Sequence, residues 1–434
     1  MVKVICEQQI ESFLAEIKNR NTGNLSSVYE TVDSILKDVK ENKDEALKKY
    51  TLKFDEVKLE DLEVTEDEIE EALRTVDEKL FETMKTAKRN IETYHIKQKR
   101  KGYQFKPDGK DIVLGQLVNP IERVGIYIPG GKAAYPSTVL MNAVPARIAG
   151  VEEIIMITPP QKDGKIKDSI LAAAVLADVD RIFKVGGVHG IGALAYGTES
   201  VPKVYKITGP GNIFVAAAKK MVSGFVGIDM VAGPSEILII ADETANPAYI
   251  AADMISQAEH DEMASSILMT DSFKLARKVR NELEKQIKKL ERSRIAEKSL
   301  NNYGAIIIAD SIKQCIDLAN EIAPEHLELM TINPFDIYKK IKNAGAIFMG
   351  KYSTEPVGDY FAGTNHTLPT GSTAKFSSAL SVDDFIKKTS LIYYGKDALK
   401  ESAGDIVRFA EGEGLTGHSN AVKVRMNESF QKGD

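Results

Sequence analysis

The chain has 434 residues, 43% of them hydrophobic and 28% charged, an ordinary composition for a globular protein that buries a large core. The formal net charge of -6 and the dispersed basic residues exclude a nucleic-acid-binding footprint. No apolar run reaches the length of a membrane span, and the start lacks a signal-peptide core, so we expect a cytoplasmic protein of two or three domains.

The first hundred residues are predicted to be helical. Residues 1–24 form an N-terminal helical segment, one short helix ending at residues 21–24, and residues 26–100 are charged and helical. Thr65 and Glu68 form a capping-box pattern. Apolar residues then recur at helical spacing, which is more typical of core packing than of a partner-binding face: Ile69, Leu73, Val76, Leu80, Met84 and Ile91.

From residue 120 strands alternate with helical patterns, which predicts mostly parallel α/β sheets, two of them, with crossover helices. The candidate strands are 123–128, 153–158, 181–185, 203–207, 236–241, 265–270, 305–309 and 346–349. We interpret residues 130–236 as an inserted domain and residues 25–129 with 237–381 as the main α/β domain. Residues 382–434 are predicted to be a C-terminal helical tail, with helices near 382–388 and 396–411.

The sequence contains two cysteines, Cys6 and Cys315, far apart in the chain. A disulfide framework and a thiolate zinc site are therefore excluded, and any metal must be held by nitrogen and oxygen ligands. Cys315 lies in a helical pattern of apolar residues, which is typical of a buried small hydrophobe.

Four of the six histidines lie in short polar motifs, flanked by carboxylates, prolines and glycines. Histidine suits proton transfer and metal ligation near neutral pH, so the pattern indicates a catalytic chain. Gln257 and His260 end the helix that begins near Pro247 and share one face of it. The spacing suits a pair of metal ligands, and a solvated polar helix end fits it equally well.

Glu325 and His326 follow Pro324, where the preceding helix should end. An adjacent carboxylate and imidazole at a helix-to-strand corner can supply two acid/base groups of different pKa. The alternative is an exposed loop pair. Leu327 and Leu329, which continue as a buried strand, disfavour it.

Asp359 and His366 bracket a glycine-rich loop opened by Pro356, and His418 follows Gly417. Each is a weak signal alone, although such loops often carry function. Together, two imidazoles, a carboxylate and a neutral amide oxygen would suit zinc or another borderline first-row ion.

Three glycine runs could cradle phosphates. The run at residues 209–212 precedes a predicted helix and leaves free N–H groups at its start, and the run at 129–132 follows a strand similarly. The third, at 190–195, matches a dinucleotide fingerprint but lacks the acidic ribose ligand after the next strand. Each run alone is typical of a turn, whereas three in one domain favour a nucleotide site.

Seven ordered motifs extend over nearly the whole chain: RVGIYIPGG (123–131), TGPGN (208–212), AGPSE (232–236), QAEHD (257–261), APEHL (323–327), GTNHTLPT (363–370) and HSNAV (418–422). Together they resemble the histidinol dehydrogenase family. The resemblance implies a zinc- and NAD-dependent homodimer that oxidises L-histidinol to L-histidine, the last step of histidine biosynthesis, in two hydride transfers through bound histidinaldehyde. It also implies an aldehyde dehydrogenase-like fold of two incomplete Rossmann-like domains, with helical terminal segments that form the dimer.

The resemblance also implies residue roles. The ligands of one zinc ion per subunit would be Gln257, His260, Asp359 and His418. The acid/base pair would be Glu325 and His326. Substrate would contact these zinc ligands, His326, Ser235, His366 and Glu413. NAD would contact Tyr127 and Asn212, and His189 stands where the family usually has a third contact, a glutamine, which leaves its role open.

Two rival functions remain at this stage. One is a metal-dependent hydrolase that uses the same histidines and carboxylates without a nucleotide. The other is a binding or scaffold protein whose site is a remnant. Neither cysteine lies in a motif, so a covalent thiohemiacetal is disfavoured and direct hydration of an aldehyde is favoured. Formation of NADH with histidinol separates the dehydrogenase from both rivals.

Overall fold

The computed structural model describes residues 2–6, 9–19, 26–130 and 134–426. The predicted helix end at residues 21–24 and the glycine-run residues 131–132 lie outside this part. The strands are β1 (Lys3–Ile5), β2 (Tyr103–Phe105), β3 (Ile112–Pro120), β4 (Arg123–Tyr127), β5 (Glu153–Ile157), β6 (Arg181–Phe183), β7 (Lys206–Thr208), β8 (Gly227–Ile228), β9 (Glu236–Ala241), β10 (Ser265–Thr270), β11 (Ala305–Ile308), β12 (His326–Met330), β13 (Ala346–Met349) and β14 (Ile386–Tyr394).

The helices are α1 (Ile10–Asn19), α2 (Ser26–Asp55), α3 (Glu66–Thr75), α4 (Glu78–His95), α5 (Pro136–Ala149), α6 (Asp168–Leu176), α7 (Gly187–Tyr196), α8 (Ile213–Val222), α9 (Pro247–Ala258), α10 (Phe273–Gln286), α11 (Ser293–Tyr303), α12 (Ile312–Ile322), α13 (Pro334–Ile337), α14 (Glu355–Tyr360), α15 (Lys396–Gly412) and α16 (Thr416–Met426). None of the helices in the described ranges is both long enough and apolar enough to cross a membrane.

The chain divides into two compact units, the larger comprising Met1–Lys99 and Ile121–Phe385. Within it, a six-stranded sheet has the order β1-β11-β10-β9-β12-β13, and every pair in it is parallel. Residues of α9, α10 and α11 pack on one face and residues of α1 and α12 on the other. Because both faces are covered, β9, β10 and β12 are buried throughout.

A five-stranded parallel sheet, in the order β6-β5-β4-β7-β8, forms the other half of the larger unit. Counted along the chain this order is third-second-first-fourth-fifth, and β11-β10-β9-β12-β13 repeats it. A full Rossmann sheet adds a sixth strand to the same order. The expectation of an α/β protein with mostly parallel, incomplete Rossmann-like sheets is therefore confirmed.

β4 lies at the centre of the five-stranded sheet, which therefore begins before the predicted boundary at residues 129/130. Helices α2 and α4 also pack on this sheet. The predicted boundary differs from the start of the sheet because the position of a strand within a sheet depends on long-range packing, which the local sequence pattern does not specify. The division into domains itself stays a prediction.

The smaller unit comprises Arg100–Pro120 and Ile386–Asp434. It holds an antiparallel sheet of order β14-β3-β2 together with α15 and α16. The prediction of a helix near 382–388 and of a wholly helical tail was wrong, because a short 3₁₀ turn, Val382–Phe385, leads straight into β14. β14 is rich in β-branched and aromatic residues and pairs with β3 along its whole length.

Other local predictions have mixed outcomes. Residues 1–24 are not one helix, because β1 precedes α1 and extends the six-stranded sheet. The capping box of Thr65 and Glu68 is confirmed, with both reciprocal hydrogen bonds present. Cys315 is buried as predicted. Of the predicted helical stripe, Leu73 and Leu80 are exposed while the other members pack on the core.

Candidate active site

Glu325 and His326 lie at the amino end of β12, at the helix-to-strand corner that the sequence predicts. Helix α12 ends at Ala323, whose φ of 53° is left-handed, and Pro324 follows it. Oε2 of Glu325 accepts a hydrogen bond from the backbone N–H of Glu236 at 2.8 Å. Nδ1 of His326 lies 3.0 Å from the backbone oxygen of Glu236. One residue of the neighbouring strand β9 therefore fixes both buried side chains.

The contact with Glu236 determines which ring nitrogen of His326 is available. A carbonyl oxygen can only accept, so Nδ1 carries the proton in this hydrogen bond, and the amide nitrogen of Gln257, 3.3 Å from Nδ1, then donates to Glu355 and not to the ring. Nε2 is buried without a hydrogen-bond partner and lies 3.6 Å from Oδ1 of Asp359. Burial lowers the pKa of His326, but the carboxylates of Glu355, Glu325 and Asp359 outweigh burial and raise this pKa well above 6.5. Nε2 is therefore the atom through which the ring can exchange a proton.

Acidic groups around His326 give the site a negative potential. Atoms of His326, Glu355 and Asp359 that could ligate a metal all lie within 4.8 Å of one another. Burial raises the pKa of Glu355 to about 7 and that of Glu325 to about 8. Burial acts in the same direction on Asp359, but His326 and two further histidines hold its pKa below the ordinary value. A cation would relieve this buried negative charge.

Gln257 and His260 lie at the carboxyl end of α9. Gln257 is fully buried, and its amide nitrogen donates to the two carboxylate oxygens of Glu355 at 3.1 and 3.2 Å in the orientation that satisfies both ends of the amide. The amide oxygen then points away from Glu355. His260 follows the helix in a turn, and its side chain is exposed.

The backbone N–H of His260 donates to the backbone oxygen of Gln257 at 3.2 Å, so the two residues stay on one turn. Partial desolvation lowers the pKa of His260. The negative charge of Asp359 acts in the opposite direction but is the smaller effect. The predicted pairing of Gln257 and His260 at one helix end is therefore present in the fold, and Asp359 lies close enough to act on His260 electrostatically.

Three buried carboxyl groups behind the site, those of Asp253, Glu328 and Glu355, were missed by the sequence analysis. Thr354 Oγ1 donates to Asp253 at 2.6 Å, and the backbone N–H of Glu355 donates to Glu328 at 3.0 Å. Burial raises the pKa of Asp253 and of Glu328 above their ordinary values. Two signals were available: Glu328 lies between two leucines in a buried strand, and Asp253 lies one helical turn before Gln257.

Ser235 and His366 approach from different parts of the larger unit. Ser235 immediately precedes β9 and is half-buried, and its backbone oxygen accepts from the N–H of Ser265 at 3.0 Å. Nε2 of His366 lies 3.5 Å from Oγ1 of Thr138, on helix α5 beside the five-stranded sheet. Burial lowers the pKa of His366, which also interacts electrostatically with Asp359. His366 therefore lies between the two sheets of the larger unit.

The donor set fits a borderline divalent cation. A buried imidazole nitrogen without a partner on His326 and the carboxylates of Glu355 and Asp359 are nitrogen and oxygen donors of the kind that zinc accepts. Both cysteines lie outside this group, since Cys6 is exposed near the N-terminus and Cys315 is buried in α12. The expectation of a site without thiolates is consistent with this arrangement.

Glu413 and His418 belong to the smaller unit. Glu413 caps the carboxyl end of α15, and His418 lies in the first turn of α16 rather than in the predicted loop. Both side chains are exposed. Gly414 has a left-handed φ of 76° and turns the chain after α15. Helix α16 then begins at Thr416. The larger unit alone brings Gln257, Asp359 and His326 together, and the assignment of His418 as a ligand stays a prediction.

The residues predicted to contact NAD lie at the carboxyl ends of strands in the five-stranded sheet. Tyr127 ends β4, is 4% exposed, and burial raises its pKa to about 12. His189 lies in the first turn of α7 after β6 and is 1% exposed. Its Nε2 lies 3.3 Å from Oγ1 of Thr51, and its Nδ1 has no hydrogen-bond partner. Both rings therefore pack toward helix α2 instead of standing open to solvent.

Asn212 is exposed and caps helix α8. Its side-chain oxygen accepts from the N–H groups of Phe214 and Val215 at 3.0 and 3.1 Å, so only its amide hydrogens remain for a ligand. The loop before it begins at Gly209, which follows β7. In open parallel sheets ligands bind at the carboxyl ends of the strands where the strand order reverses, here between β4 and β7. The strand order therefore places this loop and Asn212 at the edge of the sheet where ligands bind in such folds.

Comparison with known proteins identifies relatives over nearly the whole chain. The family model for histidinol dehydrogenase matches residues 18–426. The histidinol dehydrogenase of Clostridium acetobutylicum is 55% identical over 415 residues, which is 96% of each chain. The histidinol dehydrogenase of Bacillus cereus is 51% identical over 427 residues, covering 98% of this chain and 99% of the relative.

A solved structure is similar to this chain in fold and sequence. The crystal structure of histidinol dehydrogenase from Elizabethkingia anophelis superposes with a TM-score of 0.91 at 39% identity, over 98% of each chain. Sequence and fold therefore match over almost the same span of the chain. By both comparisons, this chain belongs to the histidinol dehydrogenase family of oxidoreductases.

Proposed function

We propose that this protein oxidises L-histidinol to L-histidine, by way of bound histidinaldehyde, as the last step of histidine biosynthesis. The reaction removes four electrons and takes one oxygen from water, so that two NAD molecules are reduced. The observation that carries the proposal is the buried pair of Glu325 and His326, both fixed by the backbone of Glu236 beside a set of nitrogen and oxygen donors. The substrate is taken from the relatives, which are named histidinol dehydrogenases.

The two groups divide the proton transfers. In the neutral ring, Nε2 of His326, the ring nitrogen that the backbone does not occupy, takes the hydroxyl proton of the alcohol. The surrounding carboxylates raise the pKa of His326, and the positive charge of a bound zinc ion would lower it again. Glu325 takes a proton from the water that hydrates the aldehyde. Direct hydration is favoured over a covalent thiohemiacetal, because Cys315 is buried inside α12 and Cys6 lies near the N-terminus.

A zinc ion would be held by Gln257, His260, Asp359 and His418, and its positive charge would anchor the amino and imidazole nitrogens of the substrate. The buried negative charge around His326 supports a cation at this position. Ser235, His366 and Glu413 would contact the substrate. These roles rest on the match to the family motifs.

NAD would bind at the carboxyl edge of the five-stranded sheet, near Tyr127, His189 and Asn212, and would accept the electrons of both oxidations. Support comes from the strand order, which reverses between β4 and β7, and from the amino end of α8, where the helix dipole favours an anion.

We also propose a homodimer in which the smaller unit contributes Glu413 and His418 to the partner's site. That unit exposes large apolar side chains, which include Phe105 (52% exposed), Ile392 (70%) and Phe409 (74%). Exposed apolar surface of this kind is typical of an interface between chains.

The test is an assay of NADH formation by the zinc-loaded enzyme with L-histidinol. We expect two NADH per histidinol consumed, no turnover in the His326→Ala variant, and L-histidine as the product. A metal-dependent hydrolase or a scaffold protein would leave NAD unreduced. If the zinc-loaded enzyme forms no NADH from histidinol, the proposed function is wrong.

A further inference from the structure

A fully buried ion pair lies beside the candidate dinucleotide site. Lys219, in helix α8, pairs with Asp229, which directly follows β8. Their side chains are 2% and 1% exposed. Removing two charges from water is costly, and apolar residues of similar volume often stabilise a core as well as a buried ion pair does. Core packing alone therefore does not account for charged residues at these two positions.

Both charges bind the same residue, Gly209, at the start of the loop that precedes α8. Oδ2 of Asp229 accepts from the backbone N–H of Gly209 at 2.9 Å, and Nζ of Lys219 donates to the backbone oxygen of Gly209 at 2.8 Å. The other oxygen of Asp229 accepts from the N–H of Met230 at 2.6 Å. The peptide groups on both sides of Gly209 are therefore held by charge-assisted hydrogen bonds, which are about twice as strong as neutral ones.

Gly209 itself has a conformation that needs this support. Its φ is +115°, a region that favours glycine, and a Cβ atom built there would lie 2.2 Å from the backbone oxygen of Tyr127. The close approach to Tyr127, the last residue of β4, positions the loop at the point where the strand order of the sheet reverses. Movement of this loop would change the position of the end of β4 and of the first residues of α8.

The clamped loop leads directly into the groups that would face a ligand. After Gly209 come Pro210, Gly211 and Asn212, and Asn212 caps the amino end of α8 with its side-chain oxygen. A helix start binds a phosphate well only if its backbone is held in place before the ligand arrives. Lys219 lies two turns into the same helix, so its bond to Gly209 ties the helix to the loop.

We infer that Lys219 and Asp229 are positioning residues for the dinucleotide, which clamp the loop at residues 209–212 in its binding conformation. The inference rests on the proposed NAD dependence. Neither side chain can reach solvent, so neither touches the cofactor, and their effect passes through the Gly209 backbone. Their loss should therefore weaken binding of the dinucleotide without changing the affinity for histidinol.

The experiment compares NADH binding, followed by NADH fluorescence, with steady-state KM values in the zinc-loaded enzyme. The main variant is the double substitution Lys219→Met with Asp229→Asn, which leaves no unpaired charge in the core. We expect its Kd for NADH and its KM for NAD to rise about tenfold, because part of the binding free energy is then spent on ordering the loop. The KM for histidinol should not change. Lys219→Leu with Asp229→Asn, which also leaves no unpaired charge in the core, decides the matter if the first double variant does not fold.

Arg181→Met is the matched control. Arg181 forms an ion pair with Glu63 at 2.7 Å, at the opposite, amino edge of the same sheet. We expect this control to change the free energy of unfolding without changing the Kd for NADH. A wild-type Kd for NADH in the folded variants, or an equal rise in both KM values, overturns the inference. If the wild-type enzyme neither binds NADH nor reduces NAD, the proposed function fails instead.

Discussion

The amide nitrogen of Gln257 donates to both carboxylate oxygens of Glu355, at 3.1 and 3.2 Å. This bond determines which end of the amide faces the rest of the site, because a carboxylate accepts only from the nitrogen. The amide oxygen, the end that can ligate a metal, is turned away from Glu355. Glu355 therefore orients a predicted zinc ligand, a kind of outer interaction that commonly tunes metal affinity.

The first prediction concerns this orientation. Glu355→Gln should lower the zinc affinity about 10- to 100-fold, because the new amide no longer selects the nitrogen of Gln257 as its partner. The measurement is zinc competition with a chelator, followed by elemental analysis. Thr354→Val, which removes a neighbouring hydrogen bond to Asp253 without touching Gln257, is the control. A wild-type zinc affinity in Glu355→Gln would mean that Glu355 does not position the ligand.

The second prediction concerns a direct ligand. His260→Ala should remove the zinc and the activity while the fold persists, since one lost ligand severely weakens a four-ligand site. His260 is exposed at the end of α9, so its removal leaves no cavity in the core. Elemental analysis of the folded variant, with circular dichroism as the check on the fold, measures this. Full zinc occupancy in His260→Ala would contradict the assignment.

The third prediction separates the two acid/base groups. Glu325→Gln should slow the oxidation of histidinaldehyde more than that of histidinol, whereas His326→Ala should slow both. Losses of a general base are typically about 10²- to 10⁴-fold. Single-turnover assays with each substrate measure the two half-reactions separately. Equal damage to both half-reactions in Glu325→Gln would show that Glu325 is not reserved for the hydration step.

The fourth prediction concerns acid stability. Burial lowers the pKa of His189 from 6.5 to about 3, so the folded protein keeps this ring neutral at a pH where the unfolded chain protonates it. The unfolded state then binds more protons, and stability is lost as the pH falls from 6.5 toward 3. At pH 5 the loss attributable to His189 is about 2 kcal/mol.

The variant that tests this is His189→Gln, which has no titrating ring. Between pH 7 and pH 5 it should lose less of its free energy of unfolding, measured with urea, than the wild type does. Leu73→Gln, at an exposed position of α3, introduces no titrating group, and this control should lose as much stability as the wild type does. The assignment fails if His189→Gln is as acid-sensitive as the wild-type protein.

The sequence was sufficient where the fold depends on local patterns. Apolar runs bounded by polar residues predicted β9, β10 and β13 with their observed ends. The helix-to-strand corner at Glu325 and His326 was predictable because Pro324 ends a helix and alternating leucines begin a strand. Such signals depend only on the periodicity of the chain and on proline geometry.

Contacts between residues distant in the chain could not be predicted in this way. The backbone of Glu236 fixes Glu325 and His326, and Glu355 fixes Gln257, but no local pattern links these positions. The same limit applies to β14, whose partner β3 precedes it by more than half the chain. Its polar and apolar residues fit a short helix equally well until a partner strand is specified.

The last prediction concerns the dimer. If Glu413 and His418 complete the partner's site, two inactive variants, Asp359→Ala and His418→Ala, should complement each other when they are denatured and refolded together. A mixed dimer would have one site with both defects and one intact site. Half of the randomly formed dimers are mixed and half of their sites are intact, so about a quarter of the wild-type activity should return. Each variant refolded alone should stay inactive, and refolded wild-type protein shows that the procedure works. If the mixture also stays inactive while the wild type recovers, His418 serves the site of its own chain.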